Sequence, residues 1–244
     1  MPPADGAPTR VVVADASALA DAAFARVCEA GARATAGGGR FSLVLSGGST
    51  PRALHARLAA APDALPWDRV DVWFGDERCV PPDDAASNYG MARDTLLSRV
   101  PIPPANVRRI EGERGAAAAA DAYDALLRAA YGDPGDAPTF DLVLLGIGTE
   151  GHTASLFPGH AALGIRDRWA APVDPAPPTA KPLVPRATLT LPALCGAREV
   201  LFLVAGADKA PIVRAVLGGD GALPAALARG RERTTWLVDE AAGR

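Results

Sequence analysis

Four short stretches carry residues that could do chemistry together. In "LVLLGIGTEGHTASLFPGH", residues 142 to 160, Gly146, Gly148 and Gly151 follow an apolar run in the spacing G-x-G-x-x-G, and His152 comes directly after them. That spacing marks a dinucleotide site only when a strand precedes it and a helix follows. The strand is present, and Asp167 falls near the position, about 20 residues on, where an acidic residue grips a ribose. The helix is not, because "HTASLF" allows barely two turns before Pro158-Gly159, and Asp167 does not end an apolar strand. The stretch reads better as a strand whose carboxyl end delivers His152 into the ligand crevice of an open α/β sheet. A histidine that merely caps a short helix is the plainer alternative.

The second stretch, "LVLSGGSTPRAL" (43 to 54), joins a strand to a helix that begins near Pro51. The amides and hydroxyls of Ser46, Gly47, Gly48, Ser49 and Thr50 could form an anion nest backed by the helix dipole. An ordinary turn with Thr50 as N-cap needs no ligand. The turn lacks the G-K-[ST] ending of a nucleotide P-loop, so a sugar phosphate suits it better than a nucleoside triphosphate. The third, "VDVWFGDERCV" (70 to 80), crowds Asp76, Glu77 and Arg78 at a strand end. Such crowding is costly unless the three are solvated, as in a loop with a local Arg–Glu pair, or have work to do. In the fourth, "VAGADKAPIV", Asp208 and Lys209 open a helix after a strand. A lysine there opposes the dipole unless an anion is near; otherwise it is a surface residue.

Positioning these groups takes several parallel strands. Apolar runs recur at "RVVVA", "FSLVLSGG", "VDVWFGDE", "FDLVLLGIG", "EVLFLVAG" and "TTWLVDE", separated by helical spacing over 17–36, 51–60, 88–99, 116–130 and 207–217. The alternation predicts an α/β domain with a mostly parallel sheet covered on both faces. Residues 158–185, rich in proline, form an ordered excursion or lid over one sheet edge, and 1–244 is expected to be one domain. A nest, an arginine, a histidine and a lysine then point toward the same edge: a site for a phosphorylated small molecule with one general base.

Composition narrows the classes. With 244 residues, 49% hydrophobic, the chain can bury a large core. A net charge of -3 removes any general electrostatic reason to bind nucleic acid or an anionic membrane. Cys28, Cys79 and Cys195 are scattered and odd in number, which suggests neither disulfides nor a zinc site and fits a reducing compartment. The amino terminus lacks a leader pattern and no apolar run reaches membrane-spanning length, so a cytoplasmic protein is expected.

These stretches resemble the 6-phosphogluconolactonase family. "LSGGSTPRAL", "FGDERCVPPDDAASNYGMARDTLL", "DLVLLGIGTEGHTASLFPG", "RATLTLPAL" and "LFLVAGADKA" look like its signature segments in its order, from about residue 43 to 210. The resemblance implies a three-layer α/β/α, Rossmann-like fold shared with glucosamine-6-phosphate deaminases. It implies hydrolysis of 6-phosphoglucono-δ-lactone to 6-phosphogluconate, in the oxidative pentose phosphate pathway, with no metal or organic cofactor. His152 would be the base that activates water. Gly47, Gly48, Ser49 and Thr50 would take the phosphate, with Arg78, Lys209 and Arg186 as cations. Asp76 and Asn88 match pocket-lining positions, and a monomer is favoured. One departure is Glu150, two residues before the histidine where the family usually has Asp; its extra methylene moves the carboxylate.

The chemistry asked of His152 is modest. An imidazole with an ordinary pKa near 6.5 is mostly neutral at cytosolic pH and can take a proton from water attacking the lactone carbonyl, then return it to the ring oxygen. Neither Ser155 nor Cys79 needs to be a covalent nucleophile. Two other readings stay open on sequence. A glucosamine-6-phosphate deaminase would resemble "GHIAFNEP" here, with Glu where this chain has Phe157. A sugar-phosphate sensor would keep the nest and lose turnover.

Overall fold

Strands form where Val, Leu and Phe run uninterrupted, and helices where small and apolar residues recur at helical spacing between them. The computed structural model describes residues 7–132 and 137–244; the first six residues of the stretch read for a leader lie outside them. In chain order the elements are β1 (Thr9–Val13), α1 (Ala16–Thr35), β2 (Phe41–Leu45), α2 (Ser49–Ala60), β3 (Val70–Phe74), β4 (Asp76–Arg78), α3 (Asn88–Ala92), β5 (Val107–Arg108) and α4 (Ala116–Tyr131), then β6 (Leu142–Leu145), β7 (Ala170–Val173), β8 (Arg186–Leu189), α5 (Leu191–Cys195), β9 (Glu199–Val204), α6 (Ala210–Leu217), α7 (Pro224–Leu227) and β10 (Arg233–Asp239).

Seven strands make one sheet in the order β1-β10-β9-β6-β2-β3-β5, every neighbouring pair parallel. Helices flank it, as the α/β reading expected. β2 and β6 are buried along their whole length, which is why they read as continuous apolar runs rather than alternating ones. Their carboxyl ends lie side by side. From β2 the chain goes to β3 on one side, whereas β6 sits on the other, so the crevice between them is the topological switch point where open α/β sheets bind ligands.

A second sheet lies outside the sequence reading. β4 pairs antiparallel with β8, and β8 with β7. The Asp76-Glu77-Arg78 run is therefore a strand and not a solvated loop: Asp76 and Glu77 are buried. The proline-rich excursion supplies β7, and its remaining backbone runs irregularly to β8. The helical spacing over 88–99 resolves into α3 followed by a π-helical turn, Arg93–Leu97, and that over 207–217 into a 3₁₀ turn, Ala207–Lys209, followed by α6.

The core is aromatic where the sheet meets α4. Trp73 packs edge-on to Tyr123 at 6.0 Å and lies 5.9 Å from Phe140, while Phe202 and Trp236 stack at 4.0 Å on neighbouring strands. Among the described residues no helix is long and apolar enough to cross a membrane, and the three cysteines are unpaired.

Candidate active site

His152 follows the β6 strand on a loop that turns back sharply. Gly151 N–H donates to Gly148 O and Gly148 N–H to His152 O, both at 2.9 Å. Gly148 has to be glycine: a Cβ there would lie 2.0 Å from His152 Nδ1 and 2.5 Å from Glu150 Oε2. No short helix follows. Thr153 and Leu156 form an isolated bridge around a two-residue turn, with Ala154 held at φ 46°. The helix-capping role for His152 falls away, and so does the dinucleotide fingerprint, whose Asp167 is exposed.

The imidazole Nδ1 lies 3.0 Å from Glu150 Oε1. The distance is that of a hydrogen bond, but the ring N–H is not aimed along it. With the carboxylate beside Nδ1, the favoured tautomer carries its proton there and leaves Nε2 with the lone pair. Burial pushes the His152 pKa below its ordinary value; Glu150 and Asp76 oppose this and Arg186 adds to it. For Glu150 burial works toward a higher pKa, yet its own backbone amide, His152 and Thr179 outweigh it and hold the carboxyl below the usual value. Thr179 belongs to the 158–185 excursion, so that segment supports the base through Glu150.

Beside the histidine loop stands a buried polar cluster built on β4 and β8. Asp76 Oδ2 accepts from Ser155 Oγ at 2.5 Å, and Asp76 Oδ1 accepts from Asn88 Nδ2 at 3.1 Å. Asn88 also donates to Asp76 O at 2.9 Å. Its Oδ1 lies where a Cβ on Gly47 would sit, 1.9 Å away, which ties the cluster to the β2 loop. Asn88 is set in place by Glu77, whose carboxylate accepts from the N–H groups of Arg78, Asn88 and Tyr89 and from Ser87 Oγ. Burial raises the Glu77 pKa, against the three amides. Glu77 thus anchors the start of α3.

Arg78 and Arg186 are register partners across β4 and β8. Arg186 is 3% exposed; it donates to Ser155 Oγ at 3.3 Å and to Pro182 O at 3.1 Å, and lies 4.0 Å from Asp76 Oδ2. Arg78 donates to Ala86 O at 2.6 Å, and among the described residues no carboxylate stands within ion-pair distance of it. Both guanidinium groups keep a buried Nε without a partner. Two adjacent cations, Arg186 buried and Arg78 half-buried, with a single carboxylate 4.0 Å from Arg186, form an arrangement that can hold an anion. Burial lowers the Arg186 pKa and Arg78 adds to this, while Asp76 and Glu150 oppose it without cancelling it.

The β2 loop completes the edge. α2 begins at Ser49 with Gly48, φ 111°, as its N-cap, so Thr50 lies inside the helix and does not cap it. The free amides of this first turn accompany a buried Ser46 Oγ that has no partner. Lys209 stands beyond the end of β9, beside β6, with Nζ 3.6 Å from Asp208 Oδ2. It shares the edge, but its charge is met by a neighbour in sequence.

The structure therefore brings Asp76, Asn88, Arg78 and Arg186 together with the Gly47 loop, and His152 with Glu150. Phe157 links the two groups: its ring lies 4.5 Å from the imidazole and under the Arg186 guanidinium at 5.5 Å. Thr188 and Thr179 have no sequence signal as site residues, and Ser155 none as a partner of Asp76, which lies 79 residues away; Phe157 stands out in sequence only as the residue found where a deaminase has Glu.

Residues 14–236 match the model of the family described as glucosamine-6-phosphate isomerases/6-phosphogluconolactonase. The chain belongs to this family. Among its relatives are a 6-phosphogluconolactonase from Streptomyces coelicolor, 42% identical over 96% of this chain and 93% of the relative, and one from Homo sapiens, 44% identical over 90% and 84%. The crystal structure of 6-phosphogluconolactonase from Thermotoga maritima superposes with a TM-score of 0.84 at 31% identity, covering 96% of this chain and all of that one. The family model and the superposed structure thus agree on the fold.

Proposed function

We propose that the protein hydrolyses 6-phosphoglucono-δ-lactone to 6-phosphogluconate, with His152 as general base. The observation that carries this reading is an imidazole with Nδ1 3.0 Å from a carboxylate and Nε2 free, set beside a pair of register-partnered arginines, Arg186 buried and Arg78 half-buried. The relatives at 42% and 44% identity bear the name of that activity.

The substrate phosphate sits against Arg78, Arg186 and the amides of the Gly47-Gly48-Ser49-Thr50 turn, and its binding energy holds C1 near the histidine. Nε2 of His152 takes a proton from water as the oxygen attacks C1. Glu150 stabilises the imidazolium that forms. The C1 oxyanion collapses, the bond from C1 to the ring oxygen breaks, and the imidazolium returns its proton to that oxygen. No covalent nucleophile enters. Burial, with Asp174 and Glu77, raises the Cys79 pKa to about 11, which leaves it a protonated and unreactive thiol. Phe157 offers no proton to an isomerase.

The test is acid release from freshly generated 6-phosphogluconolactone above the spontaneous rate, for wild type and His152→Ala. The wild type is expected to exceed background by orders of magnitude, and the variant to approach background while still binding 6-phosphogluconate. A wild type that only matches background would sink the proposal.

A further inference from the structure

The hydroxyl of Ser155 lies between the two halves of the site. It is completely buried, on the turn three residues after His152. Its Oγ donates to Asp76 Oδ2 at 2.5 Å and accepts from Arg186 Nη1 at 3.3 Å. A hydroxyl has one proton, so with the carboxylate taking it the lone pairs face the guanidinium, and the order Arg186 to Ser155 to Asp76 is fixed. The Ser155 N–H donates to Thr188 Oγ1 at 3.1 Å, and Thr188 is the register partner of Asp76. Its hydroxyl and its amide N–H are therefore both spent on the second sheet, while its backbone continues the loop that carries the base.

The local backbone is bent to permit this. Ala154 adopts φ 46°, a conformation that non-glycine residues avoid. It makes the tight turn that aims Ser155 inward, and Thr153 Oγ1 ties the turn back to Gly146 O at 2.9 Å. Strain of this kind persists only where surrounding contacts fix it.

We infer that Ser155 is a positioning residue that sets the separation between the base on the first sheet and the phosphate-binding arginine on the second, and so selects lactones that carry a phosphate. Resting on the function proposed above, the argument is geometric: His152 follows a strand of the first sheet, Arg186 lies on the second, and the 153–157 turn touches both. If the turn shifts, bound phosphate no longer places C1 beside Nε2. A phosphate-free lactone is not held by Arg186, so its hydrolysis is less sensitive to that shift.

The experiment compares kcat/KM for 6-phosphogluconolactone and for glucono-δ-lactone in wild type, Ser155→Ala and Ser155→Cys, with thermal unfolding of each. Ser155→Cys keeps a weak donor in a larger side chain and Ser155→Ala removes the donor in a smaller one, so a change shared by both is not a packing effect of one sign. The ratio of the two kcat/KM values is expected to fall by roughly tenfold or more in both variants, the loss that a displacement of about an ångström brings. A residue that merely held the fold would lower both activities together and leave the ratio within about threefold; that result overturns the inference while leaving the lactonase reading intact. A wild type that accelerates neither lactone overturns both.

Discussion

The imidazole of His152 lies against the ring of Phe157, centroids 4.5 Å apart and planes tilted by 35°. This apolar cover belongs to the burial that lowers the His152 pKa. The reactive form is the neutral ring, and a lowered pKa keeps it neutral further into acid. The acid limb of kcat/KM against pH is therefore expected below the ordinary imidazole value of about 6.5. Phe157→Leu, which admits water, should move that limb upward toward 6.5. A wild-type limb at or above 6.5 would contradict the burial argument.

Glu150 meets Nδ1 at hydrogen-bond distance without alignment, so its contribution is mainly its charge. Glu150→Gln should lower kcat by roughly 10–100-fold with little change in KM, because the imidazolium formed during attack loses its partner. Glu150→Asp should keep more of the rate than Gln. Steady-state kinetics with the charge-preserving and charge-removing variants side by side decides the matter, and equal losses would refute it.

Replacing Arg186 removes a buried, charge-assisted contact to phosphate. Arg186→Gln is expected to raise KM by roughly 10–100-fold, the loss typical of a hydrogen bond to a charged group. Lysine should rescue poorly, since it lacks the planar fork held by Ser155 and Pro182. A lysine variant with wild-type KM would show that charge alone suffices.

Gly148→Ala tests the histidine loop directly. The added methyl would meet the imidazole nitrogen at 2.0 Å and the Glu150 carboxylate at 2.5 Å, so ring and carboxylate must swing apart. Activity is expected to drop by roughly 100-fold or more while circular dichroism stays that of the folded protein. Wild-type kcat in this variant would contradict the geometry.

His55 takes no part in the proposed chemistry and sets a stability prediction. It is fully buried on α2; Thr95 Oγ1 donates to Met91 O and so accepts from His55 Nδ1 at 3.0 Å, leaving Nε2 bare. Burial, with Arg52 nearby, lowers its pKa to about 4. Between the unfolded value near 6.5 and this one, the unfolded chain holds a proton that the native state refuses. Stability is then lost as pH falls through that window, by about 3 kcal/mol in all. Denaturant titrations at pH 7 and pH 4.5 should show a smaller drop for His55→Leu than for wild type.

Much of this was legible in the sequence because the signals are local. Continuous apolar runs marked β2, β3, β6 and β9, and the residues at their carboxyl ends named the crevice. The second sheet was not legible: β4 is three residues long, and β7 and β8 hide among prolines that argue against regular structure. The same gap concealed Ser155 and Thr188, whose partners come from distant segments. Thr50 looked like an N-cap because its side chain suits the role, but Gly48 reaches the positive φ that the turn requires. Lys209 followed from dipole reasoning, and the structure supplies a nearby carboxylate that answers the same charge.

Gly75 joins the two sheets with a single residue. Its N–H donates to Leu45 O at the end of β2, and its carbonyl accepts from Leu189 N–H at the end of β8. The length of this joint decides which side chains reach the crevice, because successive strand residues face opposite ways. One residue inserted there would place Glu77 opposite Arg186 in the position that Arg78 holds now. A carboxylate of the protein itself would then occupy the charge that awaits the substrate. A residue added within the proline-rich excursion, by contrast, would alter the rim of the crevice without reversing the sign of its floor.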